Sequence, residues 1–146
     1  MQKEYKINQV NPSKGALDFS YLLDAPAGKH GFVQAKNGHL YYEDGTRARF
    51  LGFNMATRSN AVNHELAEKL AGRFASLGVN VIRLHAADAP IGEQERSWSS
   101  CKEAPLLDYE KGNGREFHLE GLDRFDYFVA KLKERGIYFH IDLIVA

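Results

Sequence analysis

Asn54, Arg83, His85, Asp88 and Asp142 are the side chains best suited to a polar, hydroxyl-rich ligand. Arg83 and His85 stand in the stretch Gly78–Asp88, GVNVIRLHAAD, where they alternate with apolar Ile82 and Leu84. On a strand that alternation sends both to one face. A guanidinium on a covered face is costly unless it is paired. Two partners fit. One is a catalytic carboxylate, which Arg83 would grip through two nitrogens and keep ionised. The other is Asp142, in a structural salt bridge. His85 ends the strand, where it can donate to hydroxyls, ligate a metal or simply satisfy itself in the core. His85-x-x-Asp88 could open a metal site, but no second histidine cluster supports one, so no metal or other cofactor is expected. Asn54 ends an earlier strand, and Asp142 shares a face with His140 on a later one. Either can orient a ligand or Arg83, or be purely structural. Trp98, Tyr109 and Phe117 offer rings to a ligand or to the rim of the fold.

These residues need a frame that repeats. LAEKLAGRFASLG-VNVIRLH (66–85) is echoed by FDYFVAKLKERG-IYFHIDL (125–143): helical pattern, glycine, apolar strand, polar strand end. The fold class is therefore α/β, the amino-terminal part of a (β/α)8 barrel, in which chemistry sits at the C-terminal strand ends. About three parallel strands and two helices are expected, preceded by a short β-hairpin. Residues 1–30 read as an extended arm, and 31–146 as the hairpin plus the first β/α units. FVQA (32–35) and HLYYE (39–43) flank Asn37-Gly38, a strong hairpin signal. RARFLGF (47–53), after Asp44-Gly45, is the expected first barrel strand. A helix follows over 64–77, with Asn63 as N-cap and Leu66, Leu70, Phe74 and Leu77 as its stripe. Gly78 ends it, and strand two runs from Val79 to Leu84. A second helix over 120–135 buries Leu122, Phe125, Phe128, Val129 and Leu132, and strand three starts at Ile137. Residues 86–118 form a loop on the active-site face, long enough to be functional or partly ordered.

Composition excludes several classes. Across 146 residues, 19 Lys+Arg balance 19 Asp+Glu, and no basic block forms, so no nucleic-acid partner is expected. No apolar run approaches the roughly 20 residues of a membrane span. The single cysteine, Cys101, rules out an internal disulfide and is best read as a bystander. The amino terminus lacks a signal-peptide core, which favours a cytoplasmic protein, though a processed secreted one would look the same. A whole barrel needs roughly 200–250 residues. The chain also stops inside the apolar run Ile144-Val145-Ala146, so the expectation is the opening of a longer protein. Three strands would leave open sheet edges and invite self-association.

Three stretches together, APAGKHGFVQAKNGHLYYEDGTRARFLGFNM (25–55), LAGRFASLGVNVIRLHAAD (70–88) and LDRFDYFVAKLKERGIYFHIDL (122–143), resemble the amino-terminal third of cellulase-like glycoside hydrolases of clan A, related to family 5. The resemblance implies retaining hydrolysis of β-linked glycosides or polysaccharides. Such enzymes use two carboxylates about 5–5.5 Å apart. In the family these glutamates follow strands four and seven, so the resemblance implies that this chain lacks them and is inactive alone. It further implies that Arg83 braces the nucleophile and that Asn54 and His85 line the sugar-binding end; Asp88, Trp98 and Asp142 are, from their residue types and positions, further candidates to meet the sugar. A non-catalytic carbohydrate-binding or scaffold protein on a degenerate barrel is the alternative, and a metal-dependent barrel hydrolase is a third reading.

Overall fold

The computed structural model describes residues 17–88 and 105–142. Strands β1 (Val33–Lys36) and β2 (His39–Tyr42) pair antiparallel, with Val33 opposite Tyr42 and Lys36 opposite His39. Asn37 and Gly38 turn between them at φ of 51° and 75°, the left-handed pair that matches the twist of a hairpin.

The expected strand over 47–53 divides in two. Arg47 bridges Tyr41, and Ala48 donates to the Leu40 carbonyl at 2.9 Å, so residues 47–48 extend the hairpin. The first parallel strand, β3, is Gly52–Ala56. The physical reason is polarity. Arg47 and Arg49 alternate with Ala48 and Phe50, which suits a sheet wet on one side, whereas a covered parallel strand needs apolar residues on both faces. Gly52 fits where it stands because a Cβ there would overlap the Val81 carbonyl oxygen.

Two β/α units follow. Helix α1 (His64–Ser76) leads to β4 (Val81–His85), and helix α2 (Leu119–Glu134) leads to β5 (Tyr138–Ile141). The three strands lie parallel in the order β3-β4-β5. Asn63 caps α1, its side chain accepting from the Leu66 amide at 2.9 Å. His118 caps α2 by accepting from the Gly121 amide at 3.3 Å. Both helices are followed by glycines at positive φ, 74° at Gly78 and 80° at Gly136. Each strand thus starts in a new direction at the point the sequence marked.

The helix α1 stripe differs from expectation. Ala67, Ala71, Phe74 and Ala75 are buried; Leu66 and Leu70 lie at the margin, and Leu77 is exposed. Small side chains let a helix approach its neighbours closely, so the face of closest contact falls on the alanines rather than the leucines. Ile82, Leu84, Phe128, Leu132 and Ile137 complete the core between helices and sheet.

A second cluster sits at the N-terminal strand ends. Tyr42 stacks on Tyr138 at 5.7 Å between ring centroids, and Phe50 meets both edge-on. Burial, helped by neighbouring Tyr138, pushes the Tyr42 hydroxyl up to about 12. The described part of the arm is rich in turns, with a 3-10 turn at Ser20–Leu22. Phe19 and Ala27 donate to the carbonyls of Ser76 and Lys133, each at 2.9 Å, which ties it to the C-terminal ends of both helices.

Candidate functional site

Register assembles the site. Asn54 lies beside Arg83, and Arg83 beside His140. Side chains at matched positions of parallel strands share a face, so Asn54, Arg83, His85, His140 and Asp142 all stand opposite the helices. Arg83 donates from Nε to Asp142 Oδ1 at 3.1 Å and from Nη2 to Oδ2 at 2.6 Å, and its Nη1 donates to Asn54 Oδ1 at 3.1 Å. Of the two partners the sequence allowed for Arg83, Asp142 is the one in place.

His85 Nδ1 also lies 2.6 Å from Asp142 Oδ2. An ionised carboxylate only accepts, so Nδ1 carries the proton and Nε2 is left for a ligand. His140 Nε2 stands 3.9 Å from Oδ1. The Asp142 side chain is 11% exposed, against 44% for Arg83 and 32% for His85. The hydrogen bond from His85, and then those from Arg83 with its charge, hold the Asp142 carboxyl below its ordinary value despite partial desolvation.

The groups left over define the chemistry. With Oδ1 of Asn54 engaged, its Nδ2 and the remaining guanidinium hydrogens are left as donors, while His85 Nε2, with the ring proton on Nδ1, is left as an acceptor. Such a fixed row matches vicinal hydroxyls. The cluster does not hold the pair of carboxylates that most glycoside hydrolases use. Among the described residues the cluster has one carboxylate, Asp142, and that one is fully engaged.

Asp88, just after β4, is joined to the loop that follows. Its carbonyl accepts from the Tyr109 hydroxyl, and burial, then the Asp88 charge, raises the Tyr109 pKa. The described residues of the long loop are held by that contact, by a 3-10 turn at Tyr109–Lys111 capped by Asp108, and by a bridge between Leu107 and Phe117. The Phe117 side chain is exposed. Trp98 and Cys101 lie outside the described residues. No group of three metal-ligating side chains occurs among the described residues.

Two positioning residues were missed by sequence reasoning. Asn60, 1% exposed, donates from Nδ2 to the His85 carbonyl at 2.8 Å, while its Oδ1 has no partner among the described residues. Next to that carbonyl, Ala86 sits at φ 51°, unusual for a residue with a Cβ. Together they fix the exit of β4 directly behind the His85 ring. An asparagine in the polar loop TRSN carries no sequence signal that separates it from its neighbours.

Neither protein-family models nor the curated proteins match this chain. Among solved structures it is similar to the crystal structure of a glycoside hydrolase family 5 protein from Bacteroides vulgatus, at a TM-score of 0.54 and 15% identity. That match covers 82% of this chain and 26% of the other, so the chain spans about a quarter of that structure's length. At this identity the likeness concerns the fold. This chain has a distant glycoside-hydrolase-like fold, the three-stranded start of a β/α barrel carrying a hairpin in front.

Proposed function

We propose that this chain is the amino-terminal part of a retaining glycoside hydrolase acting on β-linked glycosides or polysaccharides. The observation that carries the reading is the convergence of Asn54, Arg83, His85 and Asp142 at the C-terminal ends of three parallel strands. Asn54 and His85 would bind sugar hydroxyls, with Asp142 orienting His85. Asp88 and Trp98, from the loop after β4, would extend the sugar surface. Arg83 would steady the nucleophile, and both catalytic glutamates would come from later strands. The open sides of β3 and β5 would pair with further strands, or with another copy of the chain when none are supplied.

One observation favours the second reading, a non-catalytic carbohydrate-binding protein. Arg83 already spends its Nε and one Nη2 hydrogen on Asp142 and one Nη1 hydrogen on Asn54, so only one hydrogen on each terminal nitrogen is left for a further carboxylate. A titration of the chain with cello-oligosaccharides, followed by amide resonances, tests the sugar site. Shifts at Asn54, His85 and Asp142 without hydrolysis of aryl β-glycosides are the expected result. No response to any β-linked oligosaccharide would remove the sugar from the proposal. Turnover by the purified chain would instead show that its own carboxylates suffice. Light scattering checks the edges: mass should rise with concentration, and a strictly monomeric chain counts against edge pairing.

A further inference from the structure

At the other end of the sheet the hairpin builds a second candidate site. Lys36 stands opposite His39, and Tyr41 bridges Arg47, so these side chains share one face of the hairpin. The opposite face carries Tyr42 and buried Ala48. Arg49 joins Lys36, His39 and Arg47 around a groove of about 470 Å³, within the range of small-ligand sites. Asn37 and Leu40 also line it, and no acidic residue does.

The charges there are unspent. Several cations elsewhere have carboxylate partners: Lys29 with Asp24, Lys69 with Glu65, Lys111 with Glu116 and Arg124 with Glu120. Lys36, Arg47 and Arg49 form no ion pair among the described residues. Arg47 Nη2 lies 3.0 Å from His39 Nδ1. A guanidinium cannot accept, so Nδ1 accepts and the other ring nitrogen carries the proton. The groove therefore presents three cations and an imidazole N–H, in a chain whose formal net charge is zero. It is also remote from the strand-end cluster. Asn80, which precedes β4, holds the Arg49 carbonyl at 2.8 Å, so the groove lies at the N-terminal ends of the strands.

We propose that this groove binds an oligosaccharide carrying acid groups, carboxylate or sulfate, as a site separate from the strand-end cluster. Arginine forks match flat or tetrahedral oxyanions. The charge recognition rests on the groove alone; the sugar rests on the glycoside-hydrolase reading. The test is a titration of the full chain, followed by amide resonances, with trigalacturonate, a heparin tetrasaccharide, cellotriose, inorganic phosphate and an oligothymidylate. Either acidic oligosaccharide should move the amides of Lys36, His39 and Arg49, and binding should weaken as salt rises. The responding arm identifies the acid group. Arg47→Ala and Arg49→Ala should each weaken it at least about fivefold (on the order of 1 kcal/mol at 1.4 kcal/mol per decade), while Arg49→Lys, which keeps the charge and loses the fork, should weaken it less than Arg49→Ala. Cellotriose read at Asn54 and His85 reports the strand-end site independently, so either site can fail alone. No shift with either acidic oligosaccharide overturns the proposal, as does an equal response to cellotriose at the groove. Binding of phosphate or oligothymidylate as tightly as the acidic sugars would also overturn it, by showing a general anion site.

Discussion

The two ends of the parallel sheet are built differently. At the C-terminal ends, side chains bond to side chains: Arg83 to Asp142 and Asn54, and His85 to Asp142. At the N-terminal ends, one side chain bonds to backbone. Asn80 donates from Nδ2 to the Arg49 carbonyl at 2.8 Å, and its Oδ1 accepts from the Leu51 amide at 2.7 Å. Its own amide donates to the Leu51 carbonyl at 3.0 Å, and its carbonyl accepts from the Tyr138 amide at 2.9 Å. One residue thus sets how the hairpin leaves, how β4 begins and where β5 joins. Contacts to backbone fix the chain path. Contacts among exposed side chains leave donors for something else. The difference separates an end that holds the fold from an end that displays chemistry.

The sharpest break in that contrast is Gly52→Ala. Alanine is ordinarily the better strand residue, by roughly 0.5–1 kcal/mol of chain entropy. Here the added Cβ overlaps a backbone carbonyl, which cannot turn aside as a side chain would. A loss of about 3 kcal/mol is expected, at the upper end of overpacking costs. The urea midpoint should fall with an unchanged slope. Full tolerance would mean that β3 and β4 do not pair in this register. Asn80→Ala comes next. It leaves two backbone groups without their partner, at about 1–3 kcal/mol for a group that water cannot reach. A loss near 2 kcal/mol in the same measurement would place Asn80 on the stabilising side, and a loss within experimental error would put the clamp in water.

Acid and base should act on different clusters. The folded-state carboxyl of Asp142 is depressed, so its stabilisation is present above the unfolded carboxylate value of about 3.9 and is lost as pH falls through the folded value. Asp142→Asn should flatten that acid limb of the melting temperature. His30 has the opposite sign. It lies between Asp24 and Asp44, 2.5 Å from the Asp44 carboxylate, and hydrogen bonds to Asp24 first and then Asp44 raise its pKa. Its contribution is complete below the unfolded histidine value of about 6.5 and declines as pH rises through the folded value. His30→Gln should remove the alkaline-side decline and leave the Asp142 limb of the profile in place. A variant that shifts both limbs together would show that the two clusters are coupled.

What the sequence disclosed follows the same division. Alternation is local, so the shared face of Arg83 and His85 was legible, and helix-glycine-strand spacing marked both β/α units. Asp142 could be named as a partner because parallel strands of matching pattern bring like positions together. The start of β3 was not legible, since RARFLGF is one apolar-enough run and only the approach of Val81 to Gly52 decides where it divides. The alanine stripe of α1 was hidden because hydrophobicity ranks leucine above alanine, while closeness of approach ranks them the other way. Asn80 and Asn60 escaped for a common reason. Each satisfies backbone groups from elements far away in the chain, which no local pattern records.

The smallest expected effect tests the one feature that joins the two kinds of contact. Ala86 holds φ 51° while nearly buried, directly after the His85 carbonyl that Asn60 secures. Left-handed backbone costs a residue with a Cβ roughly 1–2 kcal/mol, and glycine would be relieved of it. Glycine would also surrender the buried methyl, at about 0.8 kcal/mol, and add roughly 0.5–1 kcal/mol of unfolded-chain entropy. The gains and losses nearly cancel, so Ala86→Gly should leave stability within about 0.5 kcal/mol of the parent. Its effect should appear instead in ligand response. With the turn no longer restricted, the His85 ring samples more orientations, and the cello-oligosaccharide shifts at His85 and Asp142 should shrink relative to the parent. Unchanged shifts would mean that the hydrogen bonds to Asp142 alone orient His85, and that the backbone behind it contributes only to the fold.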